Sequence, residues 1–301
     1  MFLAATAGLA QTPPSVCLPI SSPRLASPCR AYSLNLSPLY GGLTSGTGVT
    51  LKARIDDGPV LRMLLDSGAQ NVVIEKRVAS RLKLGSKSDM KLVGLGASLG
   101  NASRVAPGRL EIGGLVLENC PMVVSGVPMR EGTDGVLPLS LFEAFLVRLD
   151  LPRKTLDLQP YAAQSTLDAT DSTAVRSDQR MLFLQATVNQ AADGYLLVDT
   201  GSVYNGISPA AARACRNYRM LAPSISLTSG GGETDGFLLP PGVRFRVGPS
   251  VMNADPAVVV DLSAISRLHR FEVSGVIGYP AIRDSIVTID YRDARVRIEK
   301  K

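Results

Sequence analysis

The chain has 301 residues, 45% of them hydrophobic, with 28 Gly, 20 Pro and no Trp, a composition that allows one large core or two of ordinary size and favours short strands joined by turns. Its formal charge of +6 comes from basic residues scattered through both halves, with no Lys/Arg run and no basic stripe interleaved with aromatics, so nucleic acid is not an expected partner. Beyond the N-terminus no stretch is long and apolar enough to span a bilayer, and no stable membrane insertion is expected.

The N-terminal run Met1 to Gln11 is apolar at its centre with small residues at Gly8 and Ala10, which suits export with cleavage after Ala10, although the basic start of a secretory signal is missing. A periplasmic or secreted location is therefore expected, and Cys17 and Cys29 are then candidates for a disulfide. Cys120 and Cys215 stand alone in apolar segments and read as small core residues. Residues 11–45 are rich in Pro, Ser and Gly without sustained periodicity, so 1–45 reads as a leader followed by a flexible arm.

From Gly48 a strand pattern runs through Val49 to Ile55, turns at Asp56 to Pro59, and returns as Met63-Leu64-Leu65 into Asp66-Ser67-Gly68. A carboxylate at the end of an apolar run is costly to place, and Gly68 suits a chain that folds tightly around it. Next come Val72 to Ile74, a short helix from Lys76 to Leu84 stopped by Gly85, a glycine-rich hairpin at Leu92 to Ala97, and strands near Leu110 to Gly114 and Met122 to Val124. Asp134 to Leu139 follows, then a strand pair at Phe145 to Asp150 and Thr155 to Leu158.

Residues 161–178 are polar and fit a linker. After it the order repeats. A strand from Met181 turns at Asn189 to Gly194 and returns as Tyr195 to Val198 into Asp199-Thr200-Gly201, Ser208-Pro209 starts a short helix, and Thr228 to Glu233 forms a second glycine-rich hairpin. Ser274 to Tyr279 and the pair Ile286 to Asp290 and Arg295 to Ile298 close the second half. Asp199 follows Asp66 by 133 residues, while Gly275 follows Gly135 and Asp290 follows Asp150 by 140 each. Matched order over that length reads as an internal repeat, with units at 46–160 and 179–301.

These residues resemble the retropepsin-like aspartic proteases, in the form of two copies fused in one chain, as in bacterial tandem-repeat members. The likeness covers residues 46–300 and rests on the two apolar-Asp-Ser/Thr-Gly loops, the glycine-rich hairpins and Val276-Ile277-Gly278. It implies a mainly β fold, two retropepsin-like β-barrel lobes forming a pseudo-two-fold cleft, and one site per monomer. The reaction it implies is peptide-bond hydrolysis in extended segments by a water activated between Asp66 and Asp199, with a peptide or protein as substrate and no metal or cofactor. Two such carboxylates cannot both ionise cheaply at hydrogen-bond distance, so they share one proton.

By the same resemblance Ser67 and Thr200 hydrogen-bond across the interface, Gly68 and Gly201 let N–H groups approach the carboxylates, and Gly94, Gly96, Gly230, Gly231 and Gly232 belong to flaps that bind substrate. Ser202 is expected to hydrogen-bond Asp199, which would leave the shared proton on Asp66. Pro138 departs from the pattern by standing where the second copy has Gly278. A proline supplies no N–H, so a distorted first half and a catalytically decayed peptide-binding module of the cell envelope form the alternative reading. A two-carboxylate glycosidase is weaker, because it needs its acids further apart. The single histidine, His269, reads as part of a basic surface turn, and neither a Ser/His or Cys/His pair nor a His-Glu-x-x-His zinc motif is present.

Overall fold

The computed structural model describes residues 15–20, 22–41, 44–96, 99–215 and 224–301. The expected cleavage site at Ala10 and residue Ala97 of the first hairpin lie outside them. The fold is mainly β. Thr44–Ile55 and Val60–Asp66 form the hairpin expected ahead of Asp66, with Leu51 opposite Met63 and Ala53 opposite Leu61. Leu61, Met63 and Leu65 are buried, which fixes the register, because a slip of one residue would expose all three.

The strand Gly135–Pro138 runs parallel to Val60–Asp66, with Pro138 alongside Asp66, and Val72–Glu75 lies antiparallel on its other side. In the second half Met181–Val188 and Ala192–Asp199 form the hairpin, Val273–Gly278 runs parallel with Gly278 alongside Asp199, and Asn205–Ile207 lies beyond it. Each aspartate thus ends a strand held between two others. Three buried rows position it.

The sheets are open, in place of the expected closed barrels: one has 11 strands, the other 15, and each runs from edge to edge. The reason lies in the strand pairs that end the halves. Leu146–Asp150 turns away from its own half to pair with Ser285–Asp290, Val147 opposite Ile289, so both terminal pairs lie in the 15-stranded sheet and the 11-stranded one is left without its own. Thr155–Gln159 and Arg295–Lys300 flank this pair. The main apolar cluster is continuous across it, from Leu34 through Phe145 and Leu149 to Ile289 and Val296.

Two segments are more ordered than their composition suggests. Within the expected arm, Tyr32–Asn35 pairs with Thr155–Gln159, with Tyr32 and Leu34 buried, and Ser37–Gly41 pairs with Thr44–Ile55. A Cys17–Cys29 disulfide and the Val16–Tyr161 bridge tie down the chain before it. Within the expected linker, Thr173–Asp178 pairs with Met181–Val188.

Ser208 caps the helix Pro209–Ala214, its Oγ accepting from the Ala211 N–H at 3.1 Å. The helix Lys76–Arg81 ends through Lys83 at φ 56°, ahead of Gly85. A third helix, Ser263–His269, stands where a surface turn was expected, and His269 is only 3% exposed. Ile265 and His269 share the buried face, and His269 Nδ1 lies 2.6 Å from Asp178 Oδ2 with its ring against Phe183 and Phe271. The pairing with Asp178 and the aromatic contacts offset the cost of burying an imidazole. Cys120 and Cys215 are buried, and burial pushes the Cys120 thiol up to about 12, so neither is a poised nucleophile.

Candidate active site

Asp66 and Asp199 meet. Both are partly buried, each ends its strand, and the two carboxyl groups hydrogen-bond to one another. The Gly68 N–H donates to Asp66 Oδ1 at 2.7 Å and the Gly201 N–H to Asp199 Oδ1 at 2.9 Å, so each loop holds its own aspartate in the same way.

Between the loops the hydroxyl residues cross. Ser67 Oγ donates to the Val198 carbonyl (2.7 Å) and Thr200 Oγ1 to the Leu65 carbonyl (2.8 Å), while each hydroxyl oxygen accepts the N–H of the other residue, at 3.0 Å and 3.1 Å. Both side chains are buried, so four bonds that water cannot replace fix one loop against the other. The glycines act by what they lack. A Cβ on Gly68 would lie 2.7 Å from Asp199 Cγ, and one on Gly201 2.5 Å from Asp66 Cγ, and neither residue has a positive φ. Room for the opposite carboxyl, rather than an unusual backbone angle, is what demands glycine here.

Burial raises both carboxyls above the usual carboxylate range, Asp199 well above it because the charge of Asp66 adds to the burial; the hydrogen bond received from Asp199 holds Asp66 back. With both carboxyls raised and hydrogen-bonded to each other, the pair holds one shared proton as a unit. The hydrogen bond expected from Ser202 to Asp199 is not made: Ser202 Oγ donates instead to the Tyr204 carbonyl at 2.8 Å.

Pro138 does not distort the first loop. In the second half the Gly278 N–H donates to Asn205 Oδ1 at 2.9 Å. The residue at the matching place in the first half is Val72, which offers no acceptor, so a proline without a donor leaves nothing unpaired. Donor and acceptor are missing together.

The glycine-rich hairpins are Ser88–Val93 with Leu99–Arg104 and Ile225–Ser229 with Gly232–Leu238, and they touch at their tips. Ser229 Oγ donates to the Leu95 carbonyl (3.4 Å) and accepts the Gly231 N–H (3.2 Å). A Cβ on Gly94 would fall 2.3 Å from Ser229 Oγ, and Gly96, at φ +80°, donates its N–H to the Asp261 carbonyl and leaves no room beside Thr234. The Gly230 carbonyl packs on Gly100, and Gly232 turns into its strand at φ +103°.

Sequence reasoning missed two residues at this site. Asn205 was legible, as a polar residue inside a short apolar strand at the same offset from its aspartate as Val72. Arg130, whose Nη2 donates to the Gly201 carbonyl at 2.8 Å, sits in a loop with no motif and gave no signal. Among the described residues no three His, Cys, Asp or Glu side chains gather as a metal site, and no helix is long and apolar enough to cross a membrane.

A proton-sharing aspartate pair, cross-braced by hydroxyls at the ends of two apolar strands, is the kind of acid–base site on which aspartic proteases are built. The family described as aspartyl protease matches residues 51–141, which include Asp66 but not Asp199. Among solved structures the chain resembles the aspartic proteinase from Irpex lacteus at a TM-score of 0.52 and 13% identity, covering 90% of this chain and 97% of that one. No curated protein sequence matches. The family match supports an aspartic protease family and a protease function, and the structural likeness shows the fold.

Proposed function

We propose that the protein is an aspartic endopeptidase of the fused, tandem-repeat kind, with lobes at 46–160 and 179–301 that contribute one aspartate each to a single site. In the resting state the pair holds one proton, and the reaction runs from the form with Asp66 ionised and Asp199 protonated. Asp66 takes a proton from a bound water as its oxygen bonds to the scissile carbonyl carbon, while Asp199 gives its proton to the carbonyl oxygen. The resulting gem-diol collapses when the proton on Asp66 passes to the amide nitrogen, the C–N bond breaks and a diol proton returns to Asp199. The substrate is an extended peptide held by its backbone beneath the two hairpins.

The observation that carries this reading is the mutual placement of Asp66 and Asp199, each held by its own loop glycine and faced by the other's. A decayed, peptide-binding role drew its support from Pro138, and the undistorted loop removes that support. The Cys17–Cys29 disulfide favours an exported protein, periplasmic or secreted, and two aspartates in one chain favour a working monomer. The test is digestion of a mixed unstructured peptide pool read by mass spectrometry, with wild type beside Asp66→Asn and Asp199→Asn. Cleavage by wild type alone is the expected result; cuts that persist in both variants would assign the chemistry elsewhere.

A further inference from the structure

Arg130 is a charged feature of the site that the two-fold arrangement does not repeat. It comes from the segment that precedes the strand Gly135–Pro138, in the first half, and reaches the loop of the second. Its guanidinium forks between two backbone carbonyls: Nη1 donates to Thr47 at 2.8 Å and Nη2 to Gly201 at 2.8 Å. The Gly201 carbonyl belongs to the residue whose Cα faces the carboxyl of Asp66, so the cation stands one residue behind the pair. Among the described residues no side chain makes the matching bond to the Gly68 carbonyl.

The other charged groups around this segment are engaged elsewhere. Arg62 donates to Pro38 and Thr50, Asp134 accepts from the Arg62 N–H, and Glu131 is exposed. Burial draws the Arg130 guanidinium below its ordinary value against the opposing charges of Asp66 and Asp199, and its own charge in turn pulls both carboxyls down, by less than their burial raises them. A guanidinium with both nitrogens fixed cannot swing away when a substrate arrives.

We propose that Arg130 is a positioning residue of the hydrolysis, a fixed cation on one side of the aspartate pair that keeps it singly ionised in more acidic solution than burial alone would allow. This rests on the reading of the pair as catalytic. The sign follows from the charge: a cation favours ionised carboxyls, so it lowers both the ionisation that creates the working monoanion and the one that destroys it. Its removal therefore moves both limbs of the activity profile to higher pH.

The experiment compares wild type, Arg130→Gln and Arg130→Lys. The pH dependence of kcat/KM on a cleaved peptide is measured beside the titration of Asp66 and Asp199, followed by NMR of 13C-labelled aspartate carboxyls, with the two Asp→Asn variants for assignment. In Arg130→Gln both limbs and both carboxyl titrations should rise by about one pH unit. Arg130→Lys loses the fork but keeps the charge, so its titrations should stay near wild type even where its rate falls. Limbs and titrations that do not move in Arg130→Gln overturn the proposal while leaving the peptidase reading intact. A titration shift in Arg130→Gln where the wild type cleaves nothing supports the electrostatic role and removes the reading on which the catalytic one rests. Should Arg130→Gln prove too unstable to assay, Arg130→Lys decides: titrations displaced as the fork is lost, with charge retained, overturn the proposal.

Discussion

Gly201 shows how closely the two loops are fitted, since the Cβ of an alanine there would lie 2.5 Å from both Asp66 Cγ and Oδ2. Gly201→Ala should cost about 1–3 kcal/mol from overpacking, read as a lower urea midpoint, and should depress cleavage further by displacing Asp66. Thr200 tests the cross-bracing. Thr200→Val leaves the buried Ser67 N–H and Leu65 carbonyl without their partner, at roughly 1–3 kcal/mol for each group, whereas Thr200→Ser keeps the hydroxyl and should lose far less. Both aspartates and both hydroxyls could be read from the repeated Asp-Ser/Thr-Gly pattern. The direction of the Ser202 hydroxyl could not be read, because it is set by the Tyr204 carbonyl rather than by the neighbouring Asp199.

The strand beside each aspartate is where the two halves solve one problem differently. Asn205→Val would leave the Gly278 N–H buried and unpaired, as the Pro138–Val72 pair avoids doing, and should destabilise by about 1–3 kcal/mol in chemical denaturation. The hairpins that deliver the aspartates were legible from their alternation and turns. The strand Tyr32–Asn35 carried the same signal, with Tyr32, Leu34 and Leu36 all pointing inward, but it lay in a Pro/Ser-rich stretch whose composition masked it. Thr173–Asp178 carried almost none, having no fully buried residue, and it is a strand because Val175 and Arg176 find partners on Met181–Val188. Local pattern fails where pairing with a distant strand decides the structure.

Across the whole molecule two sets of carboxyls pull stability in opposite directions with pH. Burial raises Asp150, but the Arg153 N–H, Lys301 and Arg148 outweigh it and hold the group below its usual range, so its stabilisation is present above that range and is lost as pH falls through the folded value. Asp66 and Asp199 are raised, so what they contribute is complete in acid and is lost as pH rises through their folded values. Asp199→Asn removes that loss, and melts at neutral pH should show the variant more stable than wild type, with the gain absent in acid. The closing of the molecule was also beyond local reading: barrels are the natural expectation for a repeat of short strands, yet the terminal pairs cross to one another and leave both sheets open. A single chain then holds both aspartates, and this is tested most directly by assaying one cleaved peptide with wild type, Asp66→Asn, Asp199→Asn and an equimolar mixture of the two variants. A site built within one chain predicts a wild-type rate proportional to enzyme concentration and three silent samples; activity restored in the mixture, or retained by either variant, would contradict it.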